Sequence, residues 1–399
     1  MHSAVFPTAE ILHLEECDMR IYESFFQRAT DAPMLGRGSM AGWRSTLAAV
    51  TLLASASGIG LAQQHDSDDA FLPSAVRSAS TIPANGDVNP YGVAFVPDNF
   101  QTGSGPLKHG DILVSNFNNS ANLQGTGTTI TRITKKGSPT TFFQGVAPLG
   151  LSTALGALQV GLIVVGNSPT ADGTSGTAGA GSLLVINNQG KLIQTITNAA
   201  IQGPWDMALV DGGNSAIAFV SNALTGTVIR MDFRVNSSGL TLLSTKTIAS
   251  GYIHRGDPVT LFVSPTGLVY DGRHDVLYVA STGDNAVFAV SNAADRLSDD
   301  GLGSMIYQDN VHLHGALGMT MAPNGHLLVS NNDGINPDPN QPSEIVEFTI
   351  DGRFVKQLSV DPSQGGSFGL AVRTTEDKAI FAAVDDNTST LLIWTLDLE

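Results

Sequence analysis

Cysteine is almost missing from this chain: its 399 residues hold one, Cys17. A disulfide framework is thereby excluded, and the fold must be held by its apolar core. Basic residues are scarce too, with 20 Lys and Arg against 36 Asp and Glu and a net charge of -16 at pH 7. Binding to phosphate backbones or anionic membranes needs clustered cations. Lys135-Lys136 is the only adjacent basic pair, which excludes nucleic acid as a partner class. Helical periodicity is nearly absent from Asn89 onward. There is no Gly-rich phosphate loop between a strand and a helix and no Ser-centred nucleophile elbow, so nucleotide-binding α/β folds are set aside.

Long apolar runs are also rare. The one that stands out, Leu47 to Leu61, follows Met40 and Arg44 and ends in Gly60-Leu61-Ala62. That layout predicts a secretory signal over 40–62 with cleavage after Ala62. Residues 1–39 fit no signal and read as an upstream start, with Met34 or Met40 the true one. Removing 1–62 leaves 16 basic and 30 acidic residues, a net charge of -14. A secreted or periplasmic protein, monomeric and free of the membrane after cleavage, is the expectation. Residues 63–74, polar and acidic, read as a flexible lead.

What the chain has in plenty is glycine, 43 residues of it, and one pattern built on it. Gly92, Gly150, Gly267, Gly318 and Gly369 each open a short apolar stretch, and Asp206 takes the same place before Met207-Ala208-Leu209. These marks lie 58, 56, 61, 51 and 51 residues apart. Proline precedes four of them by two residues, at Pro90, Pro148, Pro204 and Pro265. Each first strand is followed by a second (DILVSN, LIVVGN, IAFVSN, VLYVAS, LLVSNN, IFAAVD) and a third. The Pro323-Asn324-Gly325 turn between the first and second strands of the fifth unit suits a tight hairpin. Self-similarity at this period, with short strands throughout, predicts an all-β, six-bladed β-propeller over 75–399. The last unit shows only three strands, so Ala75 to Thr81 is expected to supply its fourth and close the ring.

Leu277-Tyr278-Val279-Ala280 followed by Gly283-Asp284-Asn285-Ala286-Val287 resembles the NHL repeat, and the chain from Asn89 to Leu398 resembles secreted NHL-type six-bladed propellers. The resemblance implies the fold rather than an activity. Where that pattern has aspartate after the second strand, this chain has Asn116, Asn167, Asn222 and Asn331, with Ser281 and Val384 in the other two units.

Propeller geometry places the residues before the marks around one mouth of the central channel: Tyr91, Leu149, Trp205, Thr266, Leu317 and Phe368. Asn116, Asn167, Asn222, Asp284, Asn331 and Asp385 are expected further out on the same face. Aromatic platforms beside amides and carboxylates suit a polar ligand, glycan or protein partner. Blade packing and turn capping account for the same residues equally well. A rival reading uses His254, His312, His314 and Asp206 as metal ligands or catalytic groups. Gluconolactonase-like enzymes and streptogramin lyases, also six-bladed, hold Ca²⁺ or Mg²⁺ at this place, so the rival is a metal-dependent hydrolase or lyase of lactone-like substrates with the ion in the channel. The loop around Asp333, Asn336 and Asp338 resembles a calcium loop only loosely and lacks its closing Glu.

Overall fold

The computed structural model describes residues 69–72, 76–332, 334–340 and 344–398. Among the described residues, six four-stranded antiparallel sheets and one two-stranded hairpin account for the strands. The inner strands are Val88–Phe95, Leu151–Leu158, Pro204–Asp211, Pro265–Asp271, Ala316–Met321 and Ser367–Thr374. Each packs against the next, and the sixth returns to the first, making a six-bladed ring. The hairpin pairs Arg255–Asp257 with Leu261–Val263 just ahead of blade four.

The ring closes as expected. Arg77–Ser80 pairs antiparallel with the last strand, Thr390–Asp397, in the register Arg77 to Ile393 and Ser80 to Thr390. Ala75 lies outside the described residues. Closure covers an edge that would otherwise present unpaired main-chain groups. The flexible lead expected over 63–74 needs correction at the four of its residues that are described, 69–72. Phe71 and Leu72 donate their main-chain N–H groups to the buried Glu347 carboxylate at 2.7 and 2.9 Å. Lys356 Nζ donates to Leu72 O at 2.6 Å, and Phe71 meets Phe381 edge-on at 6.0 Å. A buried carboxylate needs donors, and this segment supplies two of them.

The marks coincide with a structural device. In five blades the pairing between first and second strands slips at the mark, as between Pro90 and Val93 or between Ser367 and Leu370, and in blade two it slips beyond Gly150, between Leu151 and Leu155. A bulge leaves main-chain groups unpaired, and serines meet them. Ser115 Oγ accepts from Gly92 N at 2.9 Å and donates to Ser152 O of the next blade at 2.7 Å. Ser330 does the same between Gly318 N and Phe368 O. Glycine is required at the mark because the next blade's carbonyl stands there: a Cβ on Gly369 would lie 2.0 Å from Tyr91 O.

Blade two departs from the predicted register. Ser115 donates to Ser152 O, as Ser221 donates to Thr266 O at 2.7 Å. Ser152, not Leu149, therefore holds the place before the mark. Gly150 is glycine for another reason, since a Cβ there would come within 2.5 Å of Ser168 O. Leu149 packs in a core cluster with Phe142 and Phe143, away from the channel mouth.

Candidate functional site

Tyr91, Trp205, Leu317 and Phe368 do converge at the mouth, but they form a plug rather than an open ring. Tyr91 stacks on Phe117 and on Phe368, each at 4.5 Å, and Trp205 stands edge-on to Tyr91 at 5.7 Å. Phe262 closes the far side, 5.5 Å from Trp205. Tyr91 is 2% exposed and Trp205 1%, so the stacking surface is largely consumed within the cluster. Each such pair contributes roughly 1 kcal/mol beyond its buried area. Phe117 and Phe262 went unnoticed in the sequence because neither sits at a mark. Leu261, beside Phe262, adopts φ 62°, a strained conformation for leucine.

The turn asparagines are inside the fold. Asn167 Oδ1 accepts from Gly150 N at 2.9 Å, Asn222 Oδ1 from Gln202 N at 2.9 Å and Asn331 Oδ1 from His314 N at 2.9 Å. Asn116 Nδ2 donates to Thr131 Oγ1 at 3.2 Å. Asp385, also buried, is bonded to Thr388 Oγ1 at 2.5 Å. These side chains fasten turns, the alternative that the sequence left open.

The histidines do not gather. His254 Nδ1 bonds Tyr252 O at 3.0 Å on an exposed segment. His312 pairs with Asp309 and stacks on Phe354 at 3.8 Å. His314, buried, lies 3.2 Å from Glu344 Oε1. Residues 310–315 run as turns and bends rather than as a strand, so the alternation expected of His312 and His314 is lost. Asp206 alone faces the channel. Among the described residues no three His, Cys, Asp or Glu side chains are grouped to hold a metal ion, so the proposed ligand set does not assemble. In the loop compared with a calcium site, Asp333 lies outside the described residues, and Asp338 Oδ1 caps Asn340 N at 2.8 Å.

Two cavities flank the plug. On the mouth side a basin of about 350 Å³ has edges of Tyr91 and Phe368 in its lining, and its remaining wall is mostly amide. Asn89 and Asn118 are 6% and 2% exposed, and the Oδ1 of each is buried without a hydrogen-bond partner. Asn118 Nδ2 donates to Asn122 Oδ1 at 2.7 Å, and Gln124 Nε2 to Val259 O at 2.8 Å. Asn332, Gln364 and Asn387 continue the wall, which among the described residues contains no Lys, Arg or His. Asp386, the carboxyl among the described residues of the wall, is pushed up to about 7 by burial first, then by Asp385 and Asp361. Asp385 itself is raised to about 6 by burial and by its hydrogen bond with Asp361. Near neutrality Asp386 can therefore donate or accept.

Behind the plug the channel opens into a cavity of about 570 Å³ lined by the inner strands of all six blades. Asp206 stands in its wall with Oδ2 accepting from Leu268 N at 2.9 Å. Burial pushes its carboxyl up to about 6, against the hydrogen bonds from Leu268 N and Met207 N.

No family model matches the chain, and neither does any curated protein. Solved structures do match. The luciferin-regenerating enzyme is similar with a TM-score of 0.50 at 11% identity, over 80% of this chain and 95% of that one. A gluconolactonase from Xanthomonas campestris gives 0.48 at 12%, over 81% and 90%. A chain of the nidogen–laminin complex gives 0.42 at 12%, over 71% and 84%. These neighbours are six-bladed β-propeller proteins. The first of them, at 0.50, bears on the fold alone and leaves the NHL resemblance where the sequence put it.

Proposed function

We propose that this protein is an exported, monomeric recognition scaffold whose mouth basin binds a neutral, hydroxyl-rich ligand of the saccharide class. The observation that carries the reading is the amide wall with two buried, unpartnered oxygens, Asn89 Oδ1 and Asn118 Oδ1. Amides donate and accept, as hydroxyls do, so a polyhydroxylated ring can satisfy both sides at once. Unpartnered buried carbonyl oxygens are uncommon and favour a donor that arrives with a ligand or with water. The wall's lack of cationic side chains argues against phosphorylated or acidic sugars. The edges of Tyr91 and Phe368 offer a limited apolar contact to the ring face.

A second reading rests on Asp386. A carboxyl titrating near 7 at the edge of a polar basin has the proton affinity of a general acid or base. Hydrolysis of a lactone-like substrate in this basin is the activity it would serve. The described residues do not supply the His and carboxylate set that a divalent ion would need, so no step is derived through a metal.

Calorimetric titration with neutral mono- and oligosaccharides tests the first reading. Asn118→Leu removes one partner and about 1.4 kcal/mol, so binding is expected to weaken roughly tenfold. Saturable binding untouched by this substitution, or no saccharide bound at all, would refute it. Turnover of a lactone panel that disappears in Asp386→Asn would move the assignment to the second reading.

A further inference from the structure

We propose that the channel cavity is a second ligand site, separate from the basin, that takes a small organic cation with an apolar body, its charge seated on the Asp206 carboxylate. The volume, about 570 Å³, lies within the range of small-molecule pockets. Its lining side chains are in majority apolar, with Leu155, Met207, Leu268, Met319 and Leu370 from five different blades. Among the described residues the charge in the lining has one sign: Asp206 and Asp211 are present, and Lys, Arg and His are not. The hydrogen bonds on the Asp206 carboxylate come from main-chain N–H groups of Leu268 and Met207, and no cationic side chain among the described residues is set against it. A partly buried carboxylate without a counter-ion is unfavourable, and a cation entering the cavity relieves it. The net charge of the chain, -16, raises the local concentration of cations further.

The wall also discriminates between kinds of cation. A bare divalent ion needs roughly six to eight oxygen ligands for calcium, or a near-octahedral set for magnesium. Apart from the two carboxylates and the phenol of Tyr270, the side chains of the lining offer only the hydroxyls of Thr153 and Thr320, and Thr153 Oγ1 already donates to Trp205 O. An ammonium group on a hydrocarbon body matches one carboxylate among apolar side chains better. The plug separates this chamber from the mouth: Tyr91 and Phe368 line the basin and not the channel, while the channel lining runs along the inner strands to Asp211 and Gly272 at their far ends. The entrance is therefore on the face opposite the basin.

The experiment titrates the full protein by calorimetry with benzylammonium, with its uncharged analogue benzyl alcohol and with calcium chloride. Benzylammonium is expected to bind at least tenfold more tightly than benzyl alcohol. Asp206→Asn, which keeps an acceptor for Leu268 N, should remove that preference. Ala371→Leu keeps the carboxylate but fills the cavity with a larger side chain, and should abolish binding. Equal affinity for the two organic probes, failure of benzylammonium to bind, or benzylammonium binding that survives Ala371→Leu would each overturn the proposal. So would calcium binding that is lost with Asp206→Asn, because the site would then be one for a metal.

Discussion

Replacing Asp206 by asparagine should change how the stability of the protein depends on pH, with a sign and size that follow from its place in the channel wall. The folded carboxyl titrates near 6, while the ordinary value is 3.8. Between those two values the folded state holds more protons than the unfolded chain, so stability falls as pH rises through this window. Below 3.8 both states are protonated, and the penalty is absent; above 6 it is present in full. A difference of about two pH units corresponds to about 3 kcal/mol. Partial exposure of the side chain to the cavity brings the expectation nearer 2 kcal/mol. Asparagine does not titrate and still accepts from Leu268 N. The stability of Asp206→Asn relative to the parent should therefore improve by about 2 kcal/mol between pH 3.5 and pH 8. Two other titratable groups line the cavity, Asp211 and Tyr270. Both are common to the two proteins, and Tyr270, raised to about 12, stays neutral throughout. Urea unfolding at several pH values gives the difference directly, because contributions common to both proteins cancel. Parallel stability curves would show that Asp206 is hydrated like a surface carboxylate. An Asp206→Asn protein that loses stability relative to the parent as pH rises would show a cation already paired with the carboxylate.

Two further outcomes follow from the ring. Gly369→Ala places a Cβ 2.0 Å from Tyr91 O, which forces blade six away from blade one; a loss of about 3 kcal/mol is expected in urea unfolding, and an unchanged midpoint would refute the close approach. Glu347→Ala leaves His326, 2.7 Å from the lost carboxylate, and the N–H groups of Phe71 and Leu72 without their acceptor. A loss of about 3 kcal/mol and new thermolysin cleavage at Phe71 and Leu72 are expected, while a cleavage pattern identical to the parent's would show that the segment is held by other means.

The repeat was legible because it is local: a glycine, a bulge and a following strand recur within a few residues, and each is dictated by its neighbour blade. Arg77–Ser80 was legible from the arithmetic of a last blade short of one strand. Blade two misled because Gly150 satisfies the pattern while serving a different close approach, to Ser168 O, and the bulge there spans Leu151 to Leu155. Burial of the aromatics was not legible, since it depends on Phe117 and on Phe262, which a hairpin outside the repeat delivers to the mouth.

The candidate site shows why a correct blade count still misses the lining of the basin. The sequence pointed to Asn331 and Asp385, whereas Asn332 and Asp386 line the basin; it pointed to Asn116, whereas Asn118 lines it. In a strand each step of one residue turns the side chain to the other face. At the first two positions the earlier residue turns inward and fastens the turn and its successor reaches the basin lining, although Asn332 Oδ1 also accepts from Gly334 N at 2.8 Å. At the third, Asn118 lies two residues on in the same strand, which alternation alone does not account for. Which member of each pair faces outward is set by where pairing stops, and that depends on the neighbouring strand rather than on the residue itself. The chemistry of the wall was readable as a surplus of asparagine after the second strands, but its address was not. Substituting the inward and outward members of one pair separates the two roles: Asp385→Ala should lower stability, whereas Asp386→Ala should act on saccharide binding.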